Sequence, residues 1–382
     1  NGTEEALCVT SDSKVGVGIA NPQRALEVAG DLVVSGTISG GAGMGSFRNR
    51  IINGDFSIDQ RNAGASFIVT TAAAKTYTLD RWFGWTILGS KFSVQQTSVV
   101  PLGLGFKNSV LVTSLSGVAA LTGYYYGFGQ YIEGYNIADL NWGTSYGSPV
   151  TVSFWVRSSI AGSYSLQLGG GVAFLPSYIV QYTVSAADTW QQIVSTIPPP
   201  PNGYTANFPS TTAASLRLWW DLGSSDATYG GAAGAWVAAD KLRVPGTTSL
   251  LATYGATMYL TGVQLERGTV ATPFEFRNYS QELQLCQRYF ETGSRGYYPL
   301  ASAFGASYGG TVFYKVTKRA SGGTITLFDD VPTAGKVGGI VSSSLTNGIT
   351  ATAENTGVSG FTFTMTTGYS LAYFTWTSQS EL

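Results

Sequence analysis

Three stretches of this chain alternate apolar and polar residues with a period of two. Val150, Val152, Phe154 and Val156 alternate with Thr151, Ser153, Trp155 and Arg157; Tyr164, Leu166 and Leu168 repeat the pattern, as do Leu216, Leu218, Trp220 and Leu222. A period of two sends successive side chains to opposite faces of a strand, so each stretch has one face to bury. Gly, Ser and Asp turns separate the stretches, and no long helical period lies between them. Residues 47–277 are therefore expected to form an all-β, antiparallel sandwich of the jelly-roll kind. Pro198-Pro-Pro-Pro201 must lie in a loop or at an edge, because proline has no N–H to give to a ladder.

Two segments bound this domain. Within Arg48–Asn62, the Ile51-Ile52 pair meets an Asn53-Gly54 step and alternation resumes at Phe56 and Ile58, which predicts a strand, a tight turn and a second strand. Within Met258–Glu266, Tyr259, Val263 and Leu265 are expected on one side of a strand. The two segments are expected to pair as first and last strands of one sandwich.

The flanks read differently. In residues 1–46, Val15-Gly-Val-Gly-Ile19 alternates strictly, Asn21-Pro22 marks a turn, and Leu26, Val28, Leu32, Val34 and Ile38 continue between Gly30, Gly36 and Gly40. So short a run cannot bury a core of its own. It fits a short intertwined β stem whose apolar edges are covered by identical chains, or a flexible linker, with Gly40–Gly45 as a hinge. Asn278 and Gln281 resemble a capping box opening a short connecting helix over 278–292, with Tyr279, Leu283, Cys286 and Phe290 as its apolar stripe. That stripe suits either a symmetry axis or the side of the sandwich. Residues 293–382 are expected to form a small C-terminal β domain from Val312–Val316, Thr324–Leu327, Phe361–Met365 and Leu371–Trp376, placed at an exposed tip.

Several separated words carry a resemblance: Asn49-Arg-Ile-Ile-Asn-Gly-Asp-Phe56, Tyr77-Thr-Leu-Asp-Arg-Trp82, Gly262-Val-Gln-Leu-Glu266, Cys286-Gln-Arg-Tyr-Phe290 and the stretch Phe374–Leu382. In this order they resemble a family of bacteriophage tail-fibre and tail-tip proteins, over residues 47–382. The Val-Gly-Val-Gly-Ile pattern resembles phage fibre stems, and the central topology resembles carbohydrate-binding modules of the galactose-binding class. The resemblance implies a homotrimeric virion fibre, extracellular after release, that meets host cell-surface polysaccharide and joins other tail proteins through its N-terminal end. The sandwiches it resembles often hold calcium. Here Asn53, Asp55 and Glu266 are available, but Thr261-Gly262 stands where an acidic pair is usual, so no site is assigned and no cofactor is expected.

Composition narrows the chemistry. With no histidine in 382 residues, Ser-His-Asp and Cys-His triads and the commonest zinc sites cannot form within one chain. Cys8 and Cys286 make no disulfide framework. Lys and Arg number 21 against 22 Asp and Glu, without obvious blocks of either sign, which makes nucleic acid a poor partner. No apolar run reaches the roughly 18 residues that cross a bilayer, so no membrane insertion is expected. Only 11% of residues are charged and 49 are glycine, as suits an extracellular β protein. The chain starts at Asn1 with neither a methionine nor a signal-peptide pattern, as the ordered part of a longer or processed polypeptide would.

Candidate ligand residues follow from aromatic side chains set among amides and carboxylates. Sugar rings stack their C–H faces on aromatic planes while their hydroxyls need polar partners. Tyr124, Tyr126, Tyr131, Tyr135, Asn136, Asp139 and Trp142 form one such group, with Asn141 and Tyr146 close by. Trp219, beside Asp221, Asp226 and Tyr229, forms another, since Trp219 and Trp220 must face opposite sides of their strand. Core packing is the competing use of the same rings. A glycan-binding attachment protein without catalysis is favoured. A purely structural fibre protein is the rival, and a depolymerase would need two carboxylates about 5–10 Å apart. Asp329-Asp330 looks like a turn, and Asp188, Asp221, Asp226 and Asp240 are scattered.

Overall fold

The computed structural model describes residues 7–30 and 47–382 apart from 120, 172, 300, 305–306, 342–343, 355–356, 367–368 and 370. The chain divides into two compact units, Asn1–Met44 and Gly45–Leu382. In the first, β1 (Cys8–Val9) pairs antiparallel with β2 (Val15–Val17), which pairs parallel with β3 (Leu26–Val28). Leu7, Val9 and Leu26 are each more than half exposed there. The expected continuation through Leu32, Val34 and Ile38 lies outside the described residues.

The second unit is built on two antiparallel sheets, as the alternation requires. One has the order β13 (Gln191–Ile197), β10 (Val150–Ser158), β16 (Thr257–Arg267), β8 (Ser109–Ser114), β7 (Phe92–Thr97), β4 (Phe67–Ile68). The other runs β15 (Trp236–Val237), β12 (Ser177–Val184), β11 (Gly162–Gly170), β14 (Ala214–Asp221), β9 (Tyr126–Glu133), β6 (Trp82–Thr86), β5 (Ala74–Leu79). Their inner faces share one core: Phe154 of the first sheet meets Trp220 and Tyr182 of the second, ring centroids 5.4 and 5.2 Å apart. Pro198–Pro201 follows edge strand β13 in a loop.

The first bounding segment is not a strand. Arg50 N donates to Leu265 O and Val263 N to Gly54 O, so the segment does lie along β16. Between those bonds the Asn49 side chain stands in for the ladder: its Oδ1 accepts from Ile51 N and Leu265 N, and its Nδ2 donates to Val263 O. Asn53 then turns with φ of 60°, and a Cβ on Gly54 would sit 2.2 Å from Val263 O, which keeps that position glycine.

The single face expected for Tyr259, Val263 and Leu265 is also corrected. Gly262, with φ of 61°, forms a bulge where the β10–β16 register shifts. Before it Met258 and Leu260 enter the core, and after it Val263 and Leu265 do, leaving Tyr259 outside under the Arg157 guanidinium.

A four-residue turn of helix, α1 (Asp226–Tyr229), follows β14, and α2 (Tyr279–Gln287) follows β16. The Asn278 side chain makes no capping hydrogen bond. The Glu282 carboxylate instead accepts from Asn53 N and faces Arg277. Helix α2 is shorter than expected, and Phe290 already begins a strand. Of its stripe, Cys286 packs with Ile52, Ile58 and Tyr289, while Tyr279 is 63% exposed.

The last sheet holds β17 (Phe290–Pro299), β18 (Ala301–Phe304), β19 (Ser307–Phe313), β20 (Thr324–Phe328), β21 (Lys336–Val341), β22 (Ser344–Glu354), β23 (Gly360–Thr366) and β24 (Leu371–Gln379), around its own core of Phe361, Phe363, Phe374 and Trp376. It packs against the sandwich. Arg288 Nη2 meets Glu133 at 2.6 Å, Arg319 Nη1 donates to Thr212 O, and Arg81 pairs with Glu381. Four of the five words that carry the resemblance meet at this seam, where Trp82 Nε1 donates to Asn53 O, Asn53 Nδ2 donates to Asp80 O, and Arg81 both pairs with Glu381 and stacks on Tyr289; the fifth joins them through Leu265 N donating to Asn49 Oδ1.

Candidate functional site: an aromatic cup on the outer sheet face

Strand β14 positions the site. Its inward set is Leu216, Leu218 and Trp220; its outward set is Arg217, Trp219 and Asp221. Trp219 fits flat against the sheet because Gly127 of β9 has no side chain, and a Cβ there would lie 2.0 Å from Trp219 Cε2. Around it the outer face is layered with Tyr77, Phe83, Tyr131 and Leu242.

At one side of this layer is a hollow of about 180 Å³, lined by Trp85, Tyr125, Phe174, Arg217, Trp219, Tyr229, Asp240 and Leu242. Trp219 and Leu242 are its buried floor, 1% and 2% exposed. Trp85 comes from β6, Tyr125 from the approach to β9, and Phe174 from the loop joining β11 to β12. Tyr229 closes α1 and is held by Leu242 N donating to its carbonyl.

The polar groups are two charges and their partners. Arg217 Nη2 lies 2.7 Å from Asp240 Oδ1, its Nε donates to Gln167 Oε1 at 3.1 Å, and its Cζ rests 3.6 Å from the Phe174 ring centroid. Stacking a guanidinium on a ring while pairing it with a carboxylate fixes its plane. Burial pushes the Asp240 carboxyl above its usual range, with Arg217 pulling it back down. Burial also raises Tyr125 and Tyr229, so both hydroxyls remain donors at neutral pH. Trp219 Nε1 is buried and makes no hydrogen bond.

Of the residues expected from the sequence, Trp219 and Tyr229 line the cup. Tyr131 lies beside it in the aromatic layer, stacked on Phe83 at 4.8 Å beneath Lys75 Nζ. Asp221 is on the same face, but at the end of its strand its carboxylate turns to Gly223 N and Ser224 N and faces Arg243 at 3.5 Å. It is a buried turn residue, 1% exposed. The other group does not assemble. Tyr126 is fully buried in the core, Tyr124 packs against that core, and Trp142, 4% exposed, is held edge-on between Phe208 and Trp236 with Nε1 on Ser148 O. The parity of β9 explains this: Tyr126 and Phe128 point inward. Tyr135 is exposed, and Asp139 pairs with Arg50, whose Nη1 donates to Asn136 O. Trp142 does border a second hollow of about 200 Å³ with Asn141, Thr144, Thr205 and Ser210.

Sequence reasoning missed Trp85, Tyr125, Phe174, Arg217, Asp240 and Leu242 as cup residues. Arg217 and Trp219 at i and i+2 of a legible strand were the available signal. Nothing near Phe174 announces its role.

Of the oxygens considered for calcium, Asp55 Oδ1 accepts from Ser57 N at 3.3 Å, and those of Glu266 and Asn53 are engaged by the protein. Glu266 accepts from Thr272 N, Thr272 Oγ1 and Gln264 Nε2, and Asn53 Oδ1 accepts from Ile58 N. A larger hollow, about 330 Å³ between Lys75–Tyr77 and residues 319–324 and 379–382, has its charges engaged: Arg319 donates to three carbonyls and Glu381 holds two arginines. No helix among the described residues is long and apolar enough to cross a membrane.

No family model and no curated protein matches the sequence. Solved structures similar to parts of it include the enzymatically active domain of tailspike protein 4 of bacteriophage CBA120, at 14% identity and a TM-score of 0.30, covering 58% of this chain and 21% of that one. The chain thus spans about a fifth of the tailspike structure. The CBM22-1 xylan-binding domain of Paenibacillus barcinonensis is similar at 12% identity, TM-score 0.28, over 55% of this chain and 99% of that one. A putative sugar-binding protein of Bacteroides thetaiotaomicron aligns at 10% identity, TM-score 0.30, over 57% and 99%. At these scores the functional reading rests on the cup's own geometry.

Proposed function

We propose that this chain is a tail-fibre protein of a virion that attaches to its host by binding surface glycans in the aromatic cup, without catalysis. The observation that carries the reading is the cup itself, where partly open aromatic rings surround one carboxylate and the Tyr125 and Tyr229 hydroxyls, the combination that a sugar's C–H faces and hydroxyls require. A non-enzymatic role is supported by the carboxylate inventory. Among the described residues Asp240 is the only carboxylate lining the cup, whereas glycoside hydrolysis uses a pair. Asp188 faces Arg157, Asp226 faces Arg243, and Asp329 accepts from Val331, Thr333 and Gly348 backbone N–H groups. The virion assignment rests on the resemblance of the five words. The exposed Leu7, Val9 and Leu26 of the N-terminal unit support assembly through that segment, as a homotrimer and towards other tail proteins.

One observation favours the structural rival: most aromatic side chains serve cores and the outer layer. Adsorption separates the readings. The purified protein should bind host cells or extracted host polysaccharide saturably, and Asp240→Asn and Trp219→Ala should lose that binding while keeping the far-ultraviolet circular dichroism of the parent. Absence of saturable binding would leave the structural role, and shortening of the polysaccharide during incubation would make the protein an enzyme.

A further inference from the structure

We infer that the cup takes the single terminal pyranose of a glycan chain, a neutral one, and does not bind the interior of the chain; this rests on the glycan-binding reading above. Three features of the cup point to it.

The first is the arrangement of rings. Trp85 is met edge-on by Tyr125, Phe174 and Trp219, at centroid distances of 5.7, 5.6 and 6.0 Å and interplanar angles of 77°, 74° and 73°. Tyr125 is in turn perpendicular to Tyr229, 89° at 5.9 Å. An extended chain of sugars needs successive rings laid along one groove. Rings that turn their edges to each other close around a point.

The second is size. A hollow of about 180 Å³ is below the roughly 300 Å³ at which pockets begin to hold drug-sized ligands, and fits about one sugar ring.

The third is the polar lining. Arg217 is committed to Asp240, Gln167 and the Phe174 face, so it offers no spare cation to an acidic sugar. Asp240 Oδ1 accepts from Arg217 and Gln167, while Oδ2 accepts from none of the described residues. Asp240 Oδ2 supplies an acceptor and the Tyr229 hydroxyl a donor, a set that matches hydroxyl groups. A carboxylated sugar would meet the Asp240 charge instead.

The test uses the full chain with two kinds of probe. In the first, methyl pyranosides of neutral hexoses and of glucuronic acid compete with host polysaccharide for the protein. In the second, the polysaccharide is trimmed by exoglycosidases that remove one terminal residue at a time. One neutral methyl pyranoside should bind within about tenfold of the polymer per chain end, and removing that terminal residue should weaken retention by about tenfold or more. Trp85→Ala and Asp240→Asn should each remove the competition. Affinity that climbs with internal chain length, or survives trimming, overturns terminal recognition and leaves glycan binding standing. Equal competition by the glucuronide overturns the neutral preference. Failure of every saccharide, polymer included, overturns the broader reading instead.

Discussion

Arg81 and Glu381, 300 residues apart in the sequence, form an ion pair that is almost closed to solvent, with side chains 1% and 3% exposed. Arg61 holds the other oxygen of Glu381 at 2.8 Å, while Arg81 donates to Tyr131 O and stacks 3.6 Å from the Tyr289 ring centroid. One carboxylate of the last segment thus ties β5–β6, the helix end and the C-terminal sheet together.

Removing that charge leaves two guanidinium groups facing each other without compensation. Glu381→Gln is expected to lose about 3 kcal/mol of stability, the usual scale for one partner taken from a buried pair. Urea denaturation followed by tryptophan fluorescence measures it. A loss under about 1 kcal/mol would mean that water reaches the seam and screens the arginines.

Asp80 gives the unit a pH dependence. Burial pushes its carboxyl up to about 7, with Arg61 and the Gln60 hydrogen bonds opposing. The folded protein keeps this proton between about pH 4 and 7 while an unfolded chain, near 3.9, releases it, so stability from this group falls as pH rises through the window. Its full span is on the order of 4 kcal/mol. Asp80→Asn should lack that component, gaining on the parent as pH rises from 4 to 7. Parallel stability curves for the two proteins over that range would refute the assignment.

Gly127 is the seat of the cup floor. An alanine methyl there meets the Trp219 indole, and Gly127→Ala should displace the ring, change the near-ultraviolet circular dichroism and abolish saccharide binding at about 1–3 kcal/mol of overpacking. An unaltered near-ultraviolet spectrum would show that Trp219 does not rest on Gly127.

Gly262 carries the bulge that exchanges the core face of β16. With φ of 61° and a Cβ site 2.5 Å from Phe106 Cζ, Gly262→Ala is expected to cost about 1–3 kcal/mol, read as a lower melting temperature. A melting temperature equal to the parent's would place the register shift elsewhere.

The central strands were legible because alternation over seven or more residues reports both element and face, as Val150–Val156 and the Trp219-Trp220 split demonstrate. The first bounding segment was legible in position but not in kind, since Asn49 satisfies with a side chain what a strand satisfies with backbone. A one-residue bulge reversed the face of Tyr259, and no local propensity marks such a step beyond the glycine itself. Strands β21 and β22 escaped notice because Lys336–Val341 and Ser344–Glu354 are rich in glycine and small polar residues, with little alternation. The cup was the least legible part. Its lining is drawn from β6, β14 and four connecting segments, and only tertiary folding brings Phe174 onto Arg217.

The seam built by Asn49, Asn53, Arg81 and Glu381 uses none of the side chains that line the cup. Phe174 and Tyr229 are delivered by connections between strands, and substitutions there leave the seam's hydrogen bonds and ion pairs in place. The cup lining can consequently vary without a compensating change in the seam, so that one scaffold is able to carry differently shaped cups by altering a few connecting residues.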